Sequence, residues 1–158
     1  MTALPVENVQ DYPRPPALEP VAERLRVLFG GVTIADSTRA LRILETHHAP
    51  TYYLPPEDIL MAALVPTSRE TFCEWKGRAA YFDIVLDTRR SRNAAWAYPA
   101  PVARYADLKD HLSFYAGSVD EAWVGDMRVQ PQPGDFYGGW VTPNLAGRIK
   151  GAAGTLHW

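Results

Sequence analysis

The 158-residue sequence has a single cysteine, Cys73. One thiol excludes an internal disulfide and any zinc site built on paired thiolates. With no cationic-then-apolar segment in "MTALPVENVQ", the expected setting is the reducing cytoplasm. Long apolar runs are also missing. The longest, "ILMAALV" from Ile59 to Val65, falls far short of the about 20 residues that a membrane-crossing helix needs, so no membrane partner is expected. Charge of one sign is absent as well: 16 Lys and Arg stand against 18 Asp and Glu, for a formal net charge of −2. Without a basic excess to track a phosphate backbone, nucleic acid is not an expected partner. Histidines number only 4, and the adjacent pair His47-His48 belongs to no spaced ligand set such as HExxH. Neighbouring side chains of a strand point to opposite sides, so the pair reads as a surface or turn feature, and neither a metal nor a cofactor is expected.

What the chain does have is proline, 14 residues, and tryptophan, 5 residues. Both favour loops and β-structure over a helical bundle. The length suffices for one domain with a real core. "DYPRPPALEP" in residues 1–20 reads as an extended arm outside the fold, because clustered prolines remove ladder donors. The domain proper is expected to begin near Leu25, where "LRVLFGGVTIADS" places Gly30-Gly31 between two apolar runs, a hairpin signal. "RALRILET" is open between helix and strand, and "APTYYLP" reads as β. "PPEDILMAALV" predicts a helix of about two turns, with proline at its start, Glu57 and Asp58 in its first turn, and Pro66 as its stop. "TFCEW" and "AAYFDIVL" flank a tight turn at Lys76-Gly77, "NAAWAYPAP" and "LSFYA" are strands, "YADLKDH" a short helix, and "EAWVGDMRV" a hairpin folded at Gly125-Asp126. Many short strands with turn signals between them make the fold mainly β and antiparallel, with one or two short helices. Residues 130–158 turn glycine-rich yet keep aromatics, so they are expected to pack on the domain or on a partner subunit.

The successive stretches "ADSTRALRILETHHAPTYYLPPEDI", "CEWKGRAAYFDI", "AAWAYPAP" and "HLSFYAGSVD" carry a resemblance. In order and spacing they resemble the DUF427 family of domains of unknown function, over about Leu25 to Val129. The chain therefore divides into an arm at 1–24, a DUF427-like domain at 25–129 and an extension at 130–158. The resemblance implies a β-tent fold similar to the Mss4-like domains: two antiparallel sheets pinned at one end and divergent at the other. Relatives with that fold carry Cys-x-x-Cys knuckles for zinc, and this chain lacks them. The family also carries a nucleotidyltransferase label, but there is no GxxxxGKS/T loop and no pair of acids spaced to hold magnesium.

Candidate site residues cluster at the family motifs. Lys76 lies three residues from Cys73, and a neighbouring ammonium stabilises a thiolate. Cys73 or Lys76 is thus a candidate nucleophile for a transferase-like or hydrolase-like enzyme, with Glu45 or a histidine as base. The competing reading makes Cys73 a small strand residue and Lys76 a solvated turn residue. Arg39 and Glu45 fall on one face of an extended segment and are expected to pair. Trp96 and Tyr98, two apart, must share a face. Aromatic rings with polar tips lining an open gap suit a flat or cationic ligand, and some β-tent relatives use a tryptophan cage for a small cyclic imide. The leading expectation is a small-molecule-binding module, with Arg39, Glu45, Tyr53, Lys76, Tyr81, Trp96 and Tyr98 around a cleft. Lys76 and Arg39 would hold an anionic or carbonyl group there. A third reading is assembly, with arm and tail gripping a second copy in a homodimer.

Overall fold

The computed structural model describes residues 5–134 and 137–151; Asp135, Phe136 and the closing "AAGTLHW", part of the aromatic tail read above, lie outside the described residues. In chain order the strands are β1 (Glu7–Asn8), β2 (Ala17–Pro20), β3 (Leu25–Phe29), β4 (Val32–Ser37) and β5 (Leu41–Leu44). They continue as β6 (Thr51–Tyr53), β7 (Leu64–Cys73), β8 (Gly77–Leu86), β9 (Arg89–Ala97) and β10 (Leu112–Phe114). The last are β11 (Glu121–Val124), β12 (Met127–Arg128), β13 (Gln130–Pro131), β14 (Trp140–Val141) and β15 (Leu145–Ala146). The protein is mainly β, and its helical residues are all short 3-10 turns among the described residues.

Two four-stranded antiparallel sheets, β10-β9-β8-β7 and β12-β11-β3-β4, form the body, and a three-stranded sheet β2-β5-β6 stands beside them. The β3–β4 hairpin closes as its sequence demands. Gly30 and Gly31 sit at φ +61° and +77°, the left-handed region open to glycine, and Phe29 pairs with Val32 across them. Along β3 the buried residues are Leu25, Val27 and Phe29, the alternation of a strand with one face inward. β7 is an edge strand, mostly exposed, so Pro66 inside it costs no shared ladder bond beyond the register shift that follows it.

Two expectations change. Residues 17–20 are not a strap outside the fold: β2 pairs with β5 from Ala17–Leu44 to Pro20–Leu41, proline entering only as the strand's last residue. The two-turn helix at 56–65 is replaced by two 3-10 turns, Pro56–Asp58 and Met61–Ala63, with β7 starting at Leu64. Between them Ile59 is extended and bridges Ala35, while the Leu60 N–H donates to the Ile34 carbonyl at 2.8 Å. Local helix signals over so short a span lose to pairing with β4, because an isolated two-turn helix has too few internal bonds to repay its nucleation.

The β7–β10 sheet separates two cores. Ile84, Ala95 and Phe114 face a large aliphatic cluster shared with Leu25, Val27 and Ile34 of the other sheet. Tyr81 and Trp96, one residue out of step, face the opposite side and pack with Ile43 and Tyr53 of β5 and β6. "AAWAY" therefore puts Ala95 and Ala97 toward the aliphatic core and Trp96 and Tyr98 toward the other, as a period of two requires, while in "AAYF" Ala79 shares the Tyr81 side and Phe82 packs on the aliphatic core.

Candidate functional site

On the ring-bearing face lies a cavity of about 280 Å³. Tyr81 of β8 stands directly opposite Trp96 of β9 in the ladder, and its hydroxyl lies 3.0 Å from the Thr71 hydroxyl on β7. From β6, the Tyr53 ring meets Trp96 edge-on at 6.4 Å between centroids and Tyr98 at 6.1 Å. Tyr115 packs against Trp96, tilted, at 4.5 Å. Four strands and the turn after β10 thus supply the wall, each ring placed by register rather than by a local motif.

Lys76 sits in the turn between β7 and β8, opposite its own carbonyl's bond to the Val102 N–H at 3.0 Å. Its side chain turns inward: the residue is only 8% exposed and its ammonium is 5.8 Å from the Tyr98 ring centre. No carboxylate comes within ion-pair distance of it among the described residues. Burial opposes the charge, while Tyr98, Cys73 and Glu45 around it favour the ammonium, and the balance lies above the ordinary lysine value. The Tyr53 and Tyr98 phenols are pushed up by burial, so both stay neutral donors at pH 7. Burial also raises the Glu45 carboxyl against the pull of Lys76, Arg14 and Lys150.

Of the residues singled out by sequence, the structure brings Glu45, Tyr53, Cys73, Lys76, Tyr81, Trp96 and Tyr98 to this one cavity. It does not bring Arg39. Ser37 Oγ accepts the Arg39 backbone N–H at 3.0 Å, turning the chain so that the guanidinium grips Asp58 through two bonds of 3.1 and 2.7 Å. The Arg39 side chain is 61% exposed, and the expected Arg39–Glu45 pair does not form: Glu45 faces Arg14 at 3.6 Å instead. Residues 39 and 45 are not on one continuous strand, since β5 covers only 41–44, and the same-face argument fails there.

His48 is the residue that sequence reasoning missed. Rather than a surface pair, the dipeptide splits: His47 adopts φ +65°, and the His48 side chain is 13% exposed and lines the cavity. Its ring meets Tyr137 edge-on at 5.0 Å, and the Lys150 ammonium lies 5.1 Å from the Tyr137 ring centre. Tyr137 and Lys150 line the same cavity, so the C-terminal extension supplies part of its wall. Their only sequence signal was the aromatic and basic content of that tail. The approach is close: a Cβ on Gly138, at φ +78°, would overlap the Trp96 ring.

Burial and the cations Lys150, Arg14 and Lys76 push His48 down from 6.5 to about 4, and the Glu45 carboxylate at 3.7 Å does not offset them. This sets a pH dependence. Below 6.5 the unfolded chain takes a proton that the folded chain refuses until about 4, so this group's contribution is complete above 6.5 and lost as pH falls toward 4. The loss is at most about 3 kcal/mol. Urea unfolding across pH 4 to 7 is expected to show it, and H48N is expected to flatten the curve; equal slopes would assign the pH dependence elsewhere.

The family described as Domain of unknown function (DUF427) matches residues 17–125. No curated protein matches the chain. The match includes β2, and it ends before Tyr137 and Lys150.

Proposed function

We propose that this chain, which belongs to the DUF427 family, binds a small planar molecule carrying an anionic or carbonyl group. The observation that carries the reading is Lys76: a buried ammonium without a carboxylate partner among the described residues, set in an aromatic cavity. A buried charge is costly unless something pairs with it, and a ligand's oxygens would do so. The rings offer faces for a flat body, and about 280 Å³ is at the small end of ligand cavities, suited to one or two fused rings. No helix among the described residues is long and apolar enough to cross a membrane, which fits a ligand taken from water.

The test is titration calorimetry with indole-3-carboxylate and its uncharged carboxamide. The carboxylate is expected to bind, and the carboxamide about tenfold or more weaker, the loss of one charge-assisted hydrogen bond. Absence of binding by either at millimolar concentration would count against the reading.

A second reading keeps the same cavity and adds chemistry at Cys73, which lines it beside Lys76. Lys76 itself makes a poor nucleophile, since its neighbours hold it as the ammonium. Rapid alkylation of Cys73 by iodoacetamide, blocked by the carboxylate, would favour this reading, whereas reaction only in denaturant would remove it. The assembly reading has less to stand on: β1 and β15, segments of the arm and tail, pair with each other in parallel.

A further inference from the structure

Gln132 belongs to the extension, beyond the family-matched residues, yet it is 2% exposed and all its polar contacts are internal. Its Oε1 accepts the Ala49 backbone N–H at 3.2 Å, and its Nε2 donates to the Lys150 carbonyl at 2.9 Å. Those two partners orient the amide without ambiguity, because a backbone N–H can only meet the oxygen and a backbone carbonyl only the nitrogen. The second Nε2 hydrogen then points at His48 Nδ1, 3.2 Å away. A donor facing Nδ1 requires that nitrogen to carry the lone pair, so the single proton of the neutral ring sits on Nε2. The nearest carboxylate oxygen, Glu45 Oε2, stands 3.7 Å from that Nε2, beyond hydrogen-bond reach.

Resting on the ligand-cavity reading above, we infer that Gln132 is a positioning residue that sets His48 as an Nε2–H donor into the cavity. The extension is thereby part of the ligand site, and the ligand meets two kinds of donor, the Lys76 ammonium and the His48 N–H. The class of molecule this selects is a planar compound with acceptor atoms for both, such as an aromatic carboxylate bearing a second ring oxygen or an unprotonated ring nitrogen. A ligand with one acceptor and donors elsewhere would leave the His48 N–H without a partner on closing the cavity, a desolvated group whose cost falls on affinity.

The inference is tested on the full-length protein by imidazole 15N NMR at pH 7. His48 is expected to show an unprotonated Nδ1 and a protonated Nε2. In Q132E the side-chain oxygen that replaces Nε2 faces His48 as an acceptor, and the His48 proton is expected to move to Nδ1. Q132L removes the donor without reversing it, and is expected to give exchange-averaged nitrogens. The Trp140 indole N–H resonance checks that each variant is folded. A merely packed glutamine would leave the tautomer unchanged in Q132E, and that result overturns the inference, as does an Nδ1–H tautomer in the unmodified protein. On saturation with quinoline-2-carboxylate, which offers a carboxylate and a ring nitrogen, the His48 Nε2–H is expected to shift, and Q132E is expected to bind it about tenfold more weakly. Failure of every planar anion to bind would sink the ligand-cavity reading, while the tautomer result decides the role of Gln132 by itself.

Discussion

Methionine in place of Lys76 is expected to weaken uptake of a planar anion by about 10- to 150-fold, the worth of a charge-assisted hydrogen bond. The same change is expected to destabilise the ligand-free protein slightly, because the fold holds the ammonium above the ordinary lysine value. Lys76 is 8% exposed, and what offsets its burial is the Tyr98 ring face at 5.8 Å, the Cys73 side chain and the more distant Glu45 charge. These neighbours return slightly more than burial costs, whereas a methionine of similar length fills the space but forgoes both. The expected loss is about 1 kcal/mol, a fall in Tm of roughly 2–4 °C for a domain of this size. Calorimetry on both proteins, with and without indole-3-carboxylate, reads the two effects separately. A rise in the ligand-free Tm would mean that burial outweighs those neighbours, and equal binding of the carboxylate by both proteins would remove the case for an anion at this point.

Truncating Trp140 to alanine is expected to cost about 3–5 kcal/mol, the upper end for a single core residue. Trp140 is fully buried, its ring 5.3 Å from that of Tyr52 and its indole N–H donating to the Phe114 carbonyl at 2.8 Å. Its backbone N–H bonds to the Pro50 carbonyl at 2.8 Å, so this one residue ties the extension to β10 and to the entry of β6. The cavity left would be large, and the Phe114 carbonyl would lose its partner. Phenylalanine restores most of the volume but not the donor, and about half the loss is expected from it. Urea unfolding measures the stability, and hydrogen exchange at residues 130–151 shows whether the tail loosens first. A loss under about 1 kcal/mol would show that the extension rests on a domain already complete without it, and would separate the His48 side of the cavity from the fold.

The aromatic wall was the most legible part of the site. Trp96 and Tyr98 are two apart on a strand, and Tyr81 follows "RAA" into the facing strand, so strand period alone puts these rings on common faces. The Lys76 turn was legible as well, because Cys73 and Gly77 pair across three residues. That Lys76 points inward was not, since a turn residue is ordinarily solvated and nothing within "CEWKG" says which way its side chain swings. Arg39 was misassigned for a related reason. Its partner Asp58 lies 19 residues away, in a segment whose local signals spelled helix and whose conformation was set by pairing with β4.

By itself, then, the amino-acid sequence determined a mainly β chain, the glycine hairpins, the strand faces that carry rings, and membership of a family, because each depends on neighbours within a few residues or on ordered motifs. Only the tertiary structure decided that these rings close around a buried ammonium, that His48 turns into the cavity, and that Gln132, 84 residues from it, sets its proton. Such contacts join strands from distant parts of the chain, and no local propensity carries information about a partner that folding alone brings within hydrogen-bond reach.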